Sequence, residues 1–153
     1  MNTSLPAGPE SLCTNAAMRR ATRRLGQLYD DAVEPIGLKA TQLGLLSSIE
    51  RMNSPTMRVL ADHLVMDLSA LGHTLKPLMR DGYVALTPHE KDKRAKIVSL
   101  TDAGKAKLDE GAALWRVAHT RFEELFGEEN ARELRRMLDW VASPGFEAKF
   151  NKD

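Results

Sequence analysis

The sequence has a single cysteine, no long apolar run and almost no net charge over its 153 residues. Each shortage excludes something. One thiol, Cys13, cannot form an internal disulfide, and a cytoplasmic setting is expected. The apolar runs are a few residues long, far short of the roughly 20 that a membrane-crossing helix needs. No basic segment followed by an apolar core opens the chain, so no secretory signal is visible. The 22 basic and 21 acidic residues leave a net charge of +1, which alone gives no reason to expect a nucleic-acid partner. The four histidines, His63, His73, His89 and His119, show no metal-ligand spacing with Cys13. There is no G-x-S-x-G, phosphate loop or triad order. Neither metal, cofactor nor enzymatic activity is expected. Repeats and low-complexity segments are also missing. What remains is one domain's length of chain with 42% hydrophobic residues, enough for a core.

Charge distribution says more than its sum. Positive charge gathers at Arg19, Arg20, Arg23 and Arg24, and again at Lys91, Lys93, Arg94 and Lys96. Negative charge gathers at Glu123, Glu124, Glu128 and Glu129. A basic face with acidic far ends suits a DNA binder of neutral overall charge.

The stretch Ser54–Leu100 organises the chain. Pro55 and Thr56 open a short helix with Thr56 as N-cap, and Val59, Leu60 and Leu64 are expected to form its apolar stripe. Val65-Met66 make a turn. Asp67 caps a second helix in which Leu71, Leu75 and Leu78 face inward. Ser69, Gly72, His73 and Lys76 occupy the other side, small and polar as a helix laid in a DNA groove should be. Gly82 ends this helix. Two strands follow, Tyr83–Thr87 and Lys96–Leu100, joined by a tip too charged for a core.

Around this segment lie longer helices. A loose arm over Met1–Pro9 precedes a helix from about Ser11 to Pro35, with Met18, Leu25, Ala32 and Ile36 on one stripe and Ala21, Leu28 and Tyr29 beside it. A second helix is expected over about Ala40–Met52. The fifth, about Asp102–Phe126, carries Leu108, Ala112, Trp115, His119, Phe122 and Phe126 at heptad spacing. A last helix over about Glu129–Ala142 is stopped by Ser143-Pro144-Gly145, leaving a short tail. The first, fifth and sixth helices carry more apolar stripe than one small lobe can cover, and a homodimer would bury it. The fold expected is α+β, mostly α: a winged helix-turn-helix lobe over about 40–100, with dimerisation helices over about 11–36 and 102–142.

Asp92-Lys93-Arg94, the run Leu100-Thr101-Asp102-Ala103-Gly104 and the Leu60-Ala61-Asp62, Leu64, Asp67 pattern together resemble the MarR family of bacterial transcription regulators, from about Leu12 to Val141. The first matches the family's D-x-R wing and the second the L-T-x-x-G that opens its fifth helix. The resemblance implies a homodimer on double-stranded, pseudo-palindromic DNA, typically a ligand-responsive repressor. It implies DNA contacts from Ser69, Gly72, His73 and Lys76 on the recognition helix and from Lys91, Asp92, Lys93 and Arg94 on the wing. Arg94 would enter the minor groove, with Asp92 holding it. It further implies a small aromatic or phenolic effector, with Met18, Leu45, Ile49, Trp115 and His119 as candidate linings; plain core packing is the alternative. Some relatives sense peroxides through a cysteine near the start of the first helix, which makes Cys13 a redox candidate with Tyr29 as a helper; a half-buried inert thiol is the alternative. A winged-helix protein adaptor without DNA binding is a further reading. The chain departs from the pattern in places. Leu68 and Ala70 stand where relatives carry polar readers, Val65 where the turn often has glycine, and Lys39 where Thr or Ser caps the second helix.

Overall fold

The computed structural model describes residues 13–152; the N-terminal arm and the expected start of the first helix at Ser11 lie outside them. The described chain is mostly helical with one two-stranded sheet. Helix α1 spans Thr14–Val33, α2 Ala40–Arg51, α3 Met57–His63 and α4 Leu68–Arg80. Strands β1 (Val84–Pro88) and β2 (Lys96–Leu100) form an antiparallel hairpin in the register Val84↔Leu100 to Pro88↔Lys96. Helices α5 (Asp102–Phe126), α6 (Glu128–Val141) and α7 (Pro144–Phe150) complete it.

Local chemistry sets the boundaries. A 3-10 turn, Glu34–Ile36, follows α1 and ends at Gly37 with φ 71°, a left-handed conformation that suits glycine. Lys39 cannot accept a capping bond, yet α2 starts beside it. The missing acceptor comes from α1: Asp30 Oδ1 accepts from the Ala40 N–H at 2.7 Å, and Gln42 Oε1 accepts from the Lys39 N–H at 2.8 Å. Thr56 caps α3 by accepting from the Val59 N–H, and Asp67 caps α4 by accepting from the Ala70 N–H at 2.7 Å. After Asp81, the Gly82 N–H donates to the Met79 carbonyl and the Tyr83 N–H to the Leu78 carbonyl, the paired bonds that close a helix through a left-handed glycine.

The core sits in the small lobe. Leu46, Leu60, Leu71, Leu75, Leu78 and Val98 are fully buried, joined by Val33 from the end of α1 and Ile36 from the turn after it. The hairpin is tied to the lobe by Val98, whose N–H donates to the Pro55 carbonyl at 2.8 Å. Gly104 sets the start of α5 against β1, because a Cβ there would collide with the Tyr83 carbonyl oxygen. Gly111 does the same further along, where a Cβ would strike Leu43 and Ile36.

Several expectations are corrected. Val59 is half exposed rather than inward; Leu60 is buried as expected, and Ala61 joins it in the core. The first strand starts at Val84, because Tyr83 is occupied in closing α4. The last segment is a helix, not a tail. Ser143 accepts from the Phe146 N–H, and Pro144 sits at the first helical position, where its missing N–H costs nothing. Helix α6 packs on α5 and α7 on α6, so this end of the chain stands away from the lobe.

Candidate nucleic-acid interface

Two elements converge on one side of the lobe. Helix α4 turns Leu71, Leu75 and Leu78 fully inward. That leaves Ser69, His73 and Lys76 exposed on its outer face, with Gly72 partly covered between them. Pro77 lies within the helix without ending it: the Asp81 N–H donates to the Pro77 carbonyl at 2.9 Å. The residues nearest the N-terminus, where base-reading helices make their contacts, lie a full turn or more before the proline.

The hairpin tip is built by side chains folding onto their own backbone. Asp92 Oδ1 accepts from the Arg94 N–H at 3.0 Å and lies 3.4 Å from Arg94 Nε. His89 Nδ1 accepts from the N–H groups of Lys91 (3.1 Å) and Asp92 (3.4 Å), which places the ring's proton on Nε2. The sequence suggested no role for His89 beyond excluding it as a metal ligand; its two-residue spacing to a backbone donor was the available signal. The result is a preformed turn from which the Arg94 side chain projects, 95% exposed. So exposed an ion pair contributes little to stability, so Asp92 acts on Arg94 chiefly by aiming it. A groove of about 430 Å³ runs between wing and helix, lined by Thr56, Met57, Arg58, Leu68, Asp92, Arg94, Ala95 and Lys96. Arg58 and Leu68 join the expected residues here. The groove can take a phosphate backbone, with arginine on both walls.

A second region lies between the lobe and the long helices. A cavity of about 730 Å³ is bounded by α1, α2 and α5 and lined mainly by Leu25, Tyr29, Leu43, Leu108, Ala112 and Trp115, with Ser47 and Arg51 at its polar side. Of the five candidate linings, Trp115 is on this wall. Leu45 and Ile49 are instead core residues, 4% and 1% exposed, on the inner side of α2. Met18 and His119 are half-buried outside the wall. Gly26, Gly44 and Ser47, which leave room for the cavity, carried no apolar signal in the sequence. Beside it, Trp115 stacks on His119 at 4.4 Å, and Tyr29 Oη lies 3.5 Å from His119 Nδ1. Glu123 is 3.3 Å from His119 Nε2 and accepts from Arg135 at 3.0 Å. Burial, then the Glu123 charge, raise the Tyr29 pKa above that of a free phenol, against the opposing pull of Arg135.

Cys13 occupies the N-cap of α1 and is exposed, so the half-buried reading of this thiol is set aside. Tyr29 lies sixteen residues further along the same helix, about 24 Å at 1.5 Å per residue. The two do not meet within a protomer. Among the described residues no group of three His, Cys, Asp or Glu side chains could hold a metal ion, and no helix is long and apolar enough to cross a membrane.

Comparison with known proteins agrees with this geometry. Residues 36–95 match the model of the MarR family. The crystal structure of the Mycobacterium tuberculosis transcriptional regulator MosR in complex with DNA superposes with a TM-score of 0.79, at 32% identity over 89% of this chain and 97% of that one. The chain belongs to the MarR family of transcriptional regulators. A second similar structure, the transcriptional repressor CouR bound to a 23-mer DNA duplex, gives a TM-score of 0.79 at 27% identity, covering 92% of this chain and all of that one. The transcriptional activatory protein BadR of Rhodopseudomonas palustris is 30% identical over 96 residues, 61% of this chain and 50% of that protein. The multiple antibiotic resistance protein MarR of Salmonella typhimurium is 34% identical over 80 residues, 52% of this chain and 56% of that one. The matched part thus spans about half the length of these curated relatives. MarR membership gives the convergence of α4 and the wing its context: both solved neighbours are DNA complexes of the same fold.

Proposed function

We propose that this chain is a cytoplasmic, homodimeric DNA-binding regulator, a repressor released by a small effector, whose α4 and wing grip a pseudo-palindromic operator. The observation that carries the reading is the wing. Arg94 is held by Asp92 at the tip of the hairpin, almost wholly exposed, beside an α4 face with no apolar role in the fold. Cations so placed suit the regularly spaced phosphates of a duplex. In this reading Ser69 and His73 meet base edges, Lys76, Lys91 and Lys93 meet phosphates, and Gly72 allows close approach. Leu68, 39% exposed at the start of α4, can contact thymine methyl groups.

The cavity between α1, α2 and α5 is read as the effector site. Its volume falls within the usual range for small-molecule pockets, its wall is apolar and aromatic, and Arg51 offers a partner for an acidic group. A small aromatic acid or phenol fits that description. Release follows from linkage: an effector that binds better to a geometry unfit for DNA weakens DNA binding by the ratio of its two affinities.

The test is a duplex selected from a random pool by the protein itself, titrated across salt concentrations. Wild-type affinity should fall steeply with salt, as phosphate contacts require. Arg94→Ala should lower affinity, reduce the slope of log K against log salt by about one unit, and leave the melting temperature unchanged. Arg94→Lys should not restore full binding, since an ammonium is more strongly hydrated and lacks the planar fork. An Arg94→Ala protein that binds like wild type at every salt concentration would remove the wing from DNA recognition.

A further inference from the structure

The turn at the tip of the hairpin hangs on one ring nitrogen. The His89 N–H donates to the Ala95 carbonyl at 2.9 Å, and the Ala95 N–H donates to the Asp92 carbonyl at 2.9 Å. Within the loop so closed, His89 Nδ1 accepts from the N–H groups of Lys91 and Asp92. Asp92 in turn accepts from the Arg94 N–H and lies beside its Nε. The imidazole thus stands two steps from the arginine: it fixes the backbone that carries Asp92, and Asp92 aims Arg94. Nδ1 can do this only with a free lone pair. An imidazolium carries a proton on both nitrogens and accepts nothing, so turning the ring over restores no acceptor. Its Nδ1 proton would point at the two N–H groups that now donate to it. The charged groups around the ring are Glu90, Lys91, Asp92, Lys93 and Arg94 of the tip, Lys96 on β2 and, from α3 across the groove, Arg58. Of the two carboxylates, Asp92 is engaged with Arg94.

We propose that His89 is the positioning residue of the wing, holding Arg94 ready for DNA only while its ring is neutral, so that DNA affinity falls as the ring takes up a proton. The inference rests on the DNA-binding reading above. Its sign is opposite to plain charge attraction. A proton on His89 adds a cation to a basic tip, which by itself would tighten phosphate binding and steepen its salt dependence. Loss of the turn acts the other way, because a freed wing must be reordered on the duplex, and that ordering is subtracted from affinity. By linkage, DNA binding expels the proton that the closed turn excludes. Histidine is the side chain whose ordinary charge change falls between pH 5 and 8, so the effect lies in an accessible range.

The experiment compares affinity for the selected duplex at pH about 7.5 and about 5.5 in wild type, His89→Ala and His89→Asn. Asparagine places Oδ1 where the imidazole has Nδ1, can accept from the same N–H groups, and does not titrate. Wild-type affinity should fall about tenfold per wing between the two pH values, as the fraction of competent wings shrinks. His89→Ala should bind weakly at both. His89→Asn should recover most of what alanine loses at the higher pH and hold it at the lower. His63, His73 and His119 are common to all three proteins, so the difference between their profiles belongs to His89. Without DNA, the ring's nitrogen NMR signals at the higher pH should place the proton on Nε2, and the Lys91 and Asp92 amide signals should move as the ring is protonated. Wild-type binding that is flat or tighter at the lower pH relative to His89→Asn overturns the proposal. So does His89→Ala binding like wild type at the higher pH, or a ring with its proton on Nδ1. A wild-type chain that binds no duplex at either pH fails the DNA-binding reading instead, while the amide signals still judge the turn.

Discussion

Val65 holds φ 53° in the turn between α3 and α4, a left-handed conformation that crowds a β-branched side chain. Its side chain is 68% exposed and repays little of that strain by packing. The turn is imposed by its neighbours: the Val65 N–H donates to the Asp62 carbonyl and the Met66 N–H to the Ala61 carbonyl, closing α3 so that α4 can cross it. The sequence pattern already marked this position as one where glycine is usual, and the backbone supplies the reason. Val65→Gly should therefore stabilise the protein by about 1 kcal/mol, relief of left-handed strain outweighing the added freedom of the unfolded chain. Urea titration should show a higher midpoint with an unchanged slope. A lower midpoint would mean that Val65 makes contacts in solution worth more than its strain. Residues of this kind were legible because one residue's geometry and chemistry decide them. His89 was missed because its role, accepting from the N–H groups of Lys91 and Asp92, depends on which way a ring turns within the wing.

Among the elements, α4 divides its work by face. Leu71, Leu75 and Leu78 are fully buried, whereas Ser69 and His73 are exposed. Stability and base reading should then separate cleanly. Leu75→Ala should cost about 2–5 kcal/mol of stability through the cavity it opens. Ser69→Ala and His73→Ala should leave stability within about 0.5 kcal/mol but relax the preference for the selected duplex over random DNA by about 1–3 kcal/mol each. Competition binding with both duplexes measures this directly; unchanged selectivity in both variants would move the readout off this face. The period of the apolar and aromatic residues made α4, α5 and most of α6 readable, since a helical stripe is a local pattern. The elements misjudged were those whose cause is remote or two-sided. Helix α2 is capped from α1 by Asp30, a contact ten residues away that no local rule contains. Pro144 reads equally as the end of α6 and the start of α7, and the Ser143 cap together with Phe146 set edge-on against Trp140 at 4.7 Å decides for a start. The α1–α2–α5 cavity was half legible at best. Its wall needs Gly26, Gly44 and Ser47, and small residues announce no pocket until the helices around them are placed.

For the whole molecule, the apolar surface of one protomer is the remaining problem. Val117 and Leu125 on α5 are 71% and 77% exposed, and Trp140 on α6 is 53% exposed. Helix α6 packs on α5 and α7 on α6, leaving outer apolar residues such as Trp140 uncovered. A lone protomer would carry this surface in water at a standing risk of aggregation. The expected outcome is a dimer that buries it, and Leu125 separates folding from association. Because Leu125 is exposed in the protomer, Leu125→Asp should leave the helical spectrum unchanged and the melting temperature at dilution within a few degrees. Burying a leucine contributes about 1.5–3 kcal/mol, and a two-fold interface contains it twice, so losing it should weaken the dimer by at least ~3 kcal/mol. DNA binding should follow. Two recognition helices about 34 Å apart bind successive major grooves as one unit, whereas separated protomers each bind a half-site weakly. Sedimentation should show Leu125→Asp as a monomer at micromolar concentration, and footprinting of a palindromic duplex should change from two protected patches at one concentration to none until far higher protein. A Leu125→Asp protein that remains dimeric and protects both half-sites would show that the exposed Val117 and Leu125 face of α5 lies outside the interface, and that the two copies meet through another surface.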